Sequence, residues 1–205
     1  MRSVPSDAPV PGRAGGRPRD LRADEAIRTA TLDLFCELGL EGVSIEAVAA
    51  RAGVGKTTIY RRWPSKEALV VASVEASFRS DDPPIDTGSV ATDLAAMATR
   101  AQRFMASDLS GKIFPRMVHH VAAGTDLGRL YFEEVLTPKR RRVIELLDRG
   151  VARGELRPGI DVEAAADALL GAVIFLRISR RLFTLDPGGV AAVIEQVVAG
   201  LRPAS

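Results

Sequence analysis

Hydrophobic positions recur at helical spacing from residue 20 to the end of this chain. Ile27, Ala30, Thr31, Leu34, Phe35 and Leu38 fall at i, i+3, i+4, i+7, i+8 and i+11, the stripe of a helix with one covered face, and Gly39 ends it. Ser44 is placed to cap a second, short helix carrying Ile45, Val48, Ala49 and Ala52. Three residues on stands Ala47, and Glu46 sits one residue early, so Ser44 reads as a plain N-cap rather than half of a capping box. Gly53-Val54-Gly55 turns the chain into Lys56–Trp63, which Pro64 stops, and Ser65 caps a helix over 66–78.

Asp81-Asp82-Pro83-Pro84 breaks this pattern and marks the best domain boundary. Beyond it the periodicity predicts helices over 88–107, 112–123, 126–153, 161–183 and 188–201. Gly124, Gly154 with Pro158, and Pro187-Gly188-Gly189 punctuate them. Pro138, inside the third, is expected to kink or split it. No stretch alternates at period two, so the fold class is all-α. Residues 1–19 hold four prolines and almost no large apolar side chain, and read as a flexible basic arm ahead of a domain over 20–80 and another over 81–205.

Composition narrows the classes. A chain of 205 residues with 46% hydrophobic content can bury a core, and one cysteine excludes a disulfide-stapled scaffold. The longest apolar run, Ala168 to Leu176, is too short to span a membrane, and no apolar leader opens the chain, so a cytoplasmic protein without membrane contact is expected. The net charge of +2 conceals an uneven distribution. Arg51, Lys56, Arg61, Arg62 and Lys66 stand in a segment without a single acid, whereas residues 81–205 carry sixteen charges of each sign. That is the compact footprint that phosphate contact requires.

Two short helices joined by a glycine-containing turn outline a helix-turn-helix. Ile45, Val48, Ala49, Val54 and Ile59 are placed to pack it, leaving Lys56, Thr57, Thr58, Tyr60, Arg61 and Arg62 largely outside. Long cations, hydroxyls and a phenol suit phosphates and base edges. The run Ser44-Ile-Glu-Ala-Val-Ala-Ala-Arg-Ala-Gly-Val-Gly-Lys-Thr-Thr-Ile-Tyr-Arg-Arg-Trp-Pro-Ser-Lys-Glu-Ala-Leu69 resembles the DNA-binding signature of the TetR family of transcriptional regulators. The resemblance covers residues 22–75; beyond them only the all-helical layout matches. It implies a three-helix DNA-binding domain, a helical ligand-binding and dimerisation domain, and a homodimer on a palindromic double-stranded operator, acting as a repressor released by a small-molecule effector. By position it places Lys56, Thr57 and Arg61 in the major groove and Ser44, Thr58, Tyr60, Trp63 and Lys66 on phosphates. Gly55, Thr57 and Arg62 depart from the residues usual in the family at those places. Gly16-Arg17-Pro18-Arg19 resembles the core of a minor-groove hook, which would add Arg17 and Arg19 to the DNA contacts; an ordinary tail is the alternative.

Other chemistry is thin. Gly55-Lys56-Thr57 ends like a phosphate-binding loop, but Ala50 stands where its first glycine belongs and a helix precedes it rather than a strand. His119 and His120 are adjacent, so on a helix they point apart and make a poor metal pair. Cys36 reads as a small core side chain, and the charge run Lys139-Arg-Arg-Arg142 as a solvated segment. No cofactor, metal or catalytic set is expected, and the protein reads as no enzyme; the competing classes are an enzyme using the Gly55-Lys56-Thr57 loop and a helical adaptor binding proteins through its apolar terminal helices.

The segment Ala168–Leu176 is apolar around its circumference, and Val190, Val193, Ile194, Val197, Val198 and Leu201 form a clean stripe. Both helices are therefore expected to build a four-helix bundle with their copies in a second subunit, through Leu169, Val173, Leu176, Val190, Ile194, Val197 and Leu201. Met97, Phe104, Met105, Phe114, Met117, Phe132 and Phe175, with Tyr131 and His120 as polar contributors, are candidates to line a pocket, although such a set can equally be plain core. Its few polar groups favour an apolar or weakly polar effector.

Overall fold

The computed structural model describes residues 17–78, 85–179 and 189–203, without the side chains of 17–20, 102, 104, 105 and 177. The break at Asp81–Pro84, most of the arm and the turn at Pro187-Gly188 lie outside the described residues. Within them every regular element is helical: α1 (Arg17–Leu38), α2 (Ile45–Ala52), α3 (Lys56–Tyr60), α4 (Lys66–Ser77), α5 (Val90–Met105), α6 (Asp108–Ala122), α7 (Asp126–Tyr131), α8 (Thr137–Ala152), α9 (Val162–Ser179) and α10 (Gly189–Leu201). The fold is all-α, as the periodicity predicts.

Several boundaries differ from the sequence expectation for local reasons. Arg17, Pro18 and Arg19, in the stretch expected to be arm, already belong to the first helix. Its buried stripe ends at Phe35, and Leu38 is 62% exposed, because the chain turns away at Gly39. Ser107, whose Oγ accepts from the Ser110 amide at 3.2 Å, starts α6 four residues earlier than expected. Pro138 does not split the third helix outright. A single π-helical segment, Phe132–Leu136, lies between α7 and α8, so the proline falls in the first turn of α8, where its missing amide costs least.

The helices close around two hydrophobic clusters. The first joins Ile27 and Phe35 of α1, Val48 of α2, Ile59 of α3 and Leu69 of α4 to Ile113 and Met117 of α6, Leu127 and Tyr131 of α7, and Val135 of the π segment. The second joins Leu94 of α5, Leu147 of α8, Leu169 of α9 and Ile194 of α10. Thus α6 and α7, far along the chain, share a core with the N-terminal helices. Gly128 makes the α6–α7 junction possible: a Cβ there would lie 2.1 Å from the His120 carbonyl oxygen. Beside it Thr125 Oγ1 caps α7, accepting from the Gly128 amide at 3.1 Å.

The residues expected at a dimer interface meet the second core of this chain. Leu169, Val190 and Ile194 are buried within this chain, and Val173, Leu176, Val197 and Leu201 pack partly against the same cluster. A stripe at helical spacing finds its own core first. What α9 leaves outside is the opposite face, Ile174, Phe175 and Ile178, with Gly171 one turn before.

Candidate nucleic-acid interface

The α2–α3 pair is built by short-range signals. Ser44 Oγ accepts from the Ala47 amide at 3.1 Å and starts α2; Gly53, at φ 66°, ends it in the left-handed conformation that glycine adopts without strain. Five residues are too few to hold a helix in water, so α3 owes its shape to packing through Ile59, which is fully buried. Ile45, Val48 and Ala49 fix α2 beneath it. The fold thereby presents Lys56, Thr57, Tyr60 and Arg61 on one exposed face, with Thr58 half-buried beside them.

Of the remaining predicted contacts, Ser44 is exposed at the start of α2 and Lys66 is partly exposed at the start of α4, whose cap is Ser65 accepting from the Ala68 amide at 3.1 Å. Trp63 is a core residue, 8% exposed, with the Arg28 guanidinium 5.9 Å from its ring centroid, so it holds α3 to α1 rather than reaching a phosphate. Arg62 is also turned inward: its Nε pairs with Asp24 of α1 at 2.5 Å, and its Nη1 donates to the Thr58 carbonyl at 2.9 Å. The two adjacent arginines thus have opposite fates, Arg61 outward and Arg62 tethering the recognition helix. Arg17 and Arg19 stand on the first turn of α1, their side chains outside the described residues.

Two of the cations in this region are paired with acids of α1 and α2. Glu37 of α1 pairs with Arg51 at 3.0 Å, and Glu46 of α2 pairs with Lys56 Nζ at 2.7 Å. The hydrogen bond to Lys56 lowers the Glu46 carboxyl below its ordinary range and raises the ammonium above its own, so both stay charged near neutral pH. Sequence reasoning noticed Glu46 only as a misplaced capping residue; ten residues of separation hid its partner.

The candidate pocket residues do not converge. Met117 and Tyr131 belong to the first core, and burial pushes the Tyr131 phenol up to about 12. Met97 packs against the second core, while Phe132 and Phe175 are 52% and 68% exposed. Phe114 is partly buried, and the Phe104 and Met105 side chains lie outside the described residues. His120 stands where α6 meets α1, its Nδ1 3.1 Å from Thr125 Oγ1 and its ring 6.5 Å from that of Phe35; desolvation lowers its pKa, His119 adds to this and Glu41 opposes. Among the described residues no three His, Cys, Asp or Glu side chains gather as a metal set, and no helix is long and apolar enough to cross a membrane.

The charge run on α8 has partners after all. Arg140 makes a fork to Asp167 of α9, Nε to Oδ1 at 2.6 Å and Nη2 to Oδ2 at 3.0 Å, and also reaches Glu163. The Lys139 ammonium lies 3.2 Å from the Phe78 ring centroid at the end of α4. Desolvation there lowers its pKa to about 8, with Arg142 reinforcing and Glu75 opposing.

A helix-turn-helix with an exposed basic recognition helix, carried on an all-helical body, defines a DNA-binding protein. Residues 27–72 match the family described as "Bacterial regulatory proteins, tetR family", and residues 84–197 match "Tetracyclin repressor-like, C-terminal domain". The chain belongs to the TetR family of transcriptional regulators, and it is a regulator rather than an enzyme. It is 32% identical over 160 residues to the HTH-type transcriptional regulator YdeS of Bacillus subtilis, covering 78% of this chain and 80% of that one. It is also 32% identical over 139 residues to the DNA-binding transcriptional repressor TetR of Mycobacteroides abscessus, covering 67% and 72%. Among solved structures, the TetR family regulator SCO0332 superposes with a TM-score of 0.67 at 27% identity, over 89% of this chain and all of that one. The flavonoid-responsive regulator FrrA superposes equally well, at 25% identity over 90% and 99%.

Proposed function

We propose that the chain is an effector-responsive repressor that binds a palindromic operator as a homodimer. The observation that carries this reading is the outward face of α3, where Lys56, Thr57, Tyr60 and Arg61 stand together while Ile59 and Trp63 anchor them from behind. The Mycobacteroides relative, described as a repressor, supports the sign of regulation.

Dimerisation is supported by the face of α9 that the described residues do not cover. Ile174, Phe175 and Ile178 are 39%, 68% and 45% exposed at positions i, i+1 and i+4 of one helix. The outer side of α10 carries the small residues Ala192, Ala199 and Gly200, with Glu195 and Gln196 between them. Both helices packing on their copies make a four-helix bundle, and the resulting two-fold axis would set two α3 helices against successive major grooves, ~34–36 Å apart. An effector acts on such a dimer only by preferring one spacing over another. FrrA, flavonoid-responsive by its description, supports an aromatic, weakly polar effector.

Selection of duplexes from a randomised pool tests the reading. The expected product is an inverted repeat with half-sites one helical turn apart, bound by a dimer and released by a member of a flavonoid panel. Enrichment of asymmetric sites by a monomer would overturn the dimeric reading, and no enrichment would overturn the regulator reading altogether.

A further inference from the structure

We propose that Glu46 is a specificity-determining residue, aiming the Lys56 ammonium at base edges and away from the phosphate backbone. This rests on the reading that α2 and α3 meet duplex DNA. Glu46 Oε1 and Lys56 Nζ are 2.7 Å apart, and the two side chains are 62% and 55% exposed. A pair this exposed contributes next to nothing to folding, because solvent screens it and two flexible side chains must be ordered to make it. Its consequence lies at the surface it occupies.

Lysine is a point charge on a flexible stem with three donors. Left to itself at the start of α3, Lys56 would swing to whichever phosphate is nearest, a contact that is indifferent to sequence and released by salt. The carboxylate changes that in two ways. Glu46 is fixed to a helix anchored by the buried Ile45 and Val48, so once the groove excludes solvent, and with it the screening, the carboxylate gives the ammonium one preferred place. One donor is then spent on the carboxylate, and two are left in set directions, which suits the O6 and N7 acceptors of guanine. The negative charge also repels phosphate oxygens, which penalises the sequence-independent mode of binding. The shifts of both groups toward their charged forms keep the pair intact at neutral pH.

The test compares a duplex selected by the wild-type protein with a scrambled duplex of the same length and composition, by fluorescence anisotropy across a salt series. For Glu46→Gln, affinity for the scrambled duplex rises, its salt slope steepens by about one phosphate contact, and the selected-to-scrambled ratio falls severalfold. Glu46→Asp keeps the charge but moves the pairing point by a methylene, and its ratio falls too. In a Lys56→Ala background Glu46→Asp leaves the ratio unchanged, and Glu46→Gln lowers it by less, through the lost repulsion of phosphate alone. An unchanged ratio in Glu46→Gln overturns the proposal. So does Glu46→Asp behaving as wild type, which would make Glu46 a simple repulsive charge, or an equal fall without Lys56. These results leave the regulator reading standing; a wild-type protein that enriches no sequence from the pool overturns both.

Discussion

The two hydrophobic clusters differ in whether one chain can close them. Around the first, the large apolar side chains left outside (Leu21, Leu38, Tyr60 and Phe132) are scattered over α1, α3 and the π segment. Around the second, Ile174, Phe175 and Ile178 share one face of α9. Isolated exposed apolar residues are ordinary on any soluble surface, whereas a contiguous stripe marks a face built for contact. The first region turns a polar, cationic face outward; the second leaves an apolar face of α9 that the described residues do not cover. The division does not follow the sequence, since α6 and α7 belong to the first cluster.

Charging the α9 stripe should give the largest effect. Phe175→Glu combined with Ile178→Glu is expected to convert a dimer to a monomer in sedimentation equilibrium while helicity persists, because both side chains are already exposed. Ile194→Glu, by contrast, places a charge in the second core and is expected to unfold the protein rather than dissociate it. If the α9 pair left a dimer intact, the stripe would not be the contact face.

Next comes the shared core. Met117→Ala should cost about 2–5 kcal/mol by opening a cavity among buried neighbours. Trp63, the only tryptophan, lies in that same cluster, so its fluorescence should report the earlier transition although residue 117 is far away in sequence. A Trp63 transition that Met117→Ala left in place would detach α6 from the DNA-binding helices.

A smaller loss is expected from Arg62→Ala, about 2 kcal/mol, since it strands the partly buried Asp24 carboxylate. Urea denaturation would measure it. Arg61→Ala, one residue before, should move the denaturation curve by less, because that side chain is exposed.

The smallest effect is a pH dependence at Lys139. Its pKa in the folded protein is about 8, below the ordinary 10.5, so between those values the unfolded chain binds the extra proton. Stability contributed at this site therefore rises as pH climbs from 8 towards 10.5, and is fully penalised below 8. Lys139→Met should melt higher than wild type at pH 7, and the gap should narrow by pH 10. A gap independent of pH would mean that the buried charge at α8 has no bearing on the seam with Phe78.

Much of this was legible in the sequence, and the remainder was hidden for definite reasons. Ser44, Gly53 and Pro64 mark α2 and α3 because caps and stops act within a few residues. The all-α class followed from periodicity alone. The orientation of α9 is not legible, because a helix apolar on every side carries no period that says which side a core will take, which is why spacing points to Leu169 as contact and Phe175 as pocket; the stripe of α10, Ile194 included, says that a face is covered but not by which chain. Trp63 and Arg62 were read as outward because their burial depends on α1, through Arg28 and Asp24, and no local signal announces a tertiary partner. Pro138 announced a break, but not that a π segment would absorb it. The Glu46–Lys56 pair joins two helices across a turn, and only the folded geometry brings it together.

The central claim is that the outward face of α3 recognises DNA, and the double substitution Lys56→Ala/Arg61→Ala tests it most directly on a duplex selected by the wild-type protein. Both residues are exposed, so circular dichroism should show a cooperative melting curve close to that of the wild type. Affinity for the selected duplex should fall at least about a hundredfold, with a shallower salt dependence as phosphate or base contacts are lost. Undiminished affinity in a folded double variant would contradict the account.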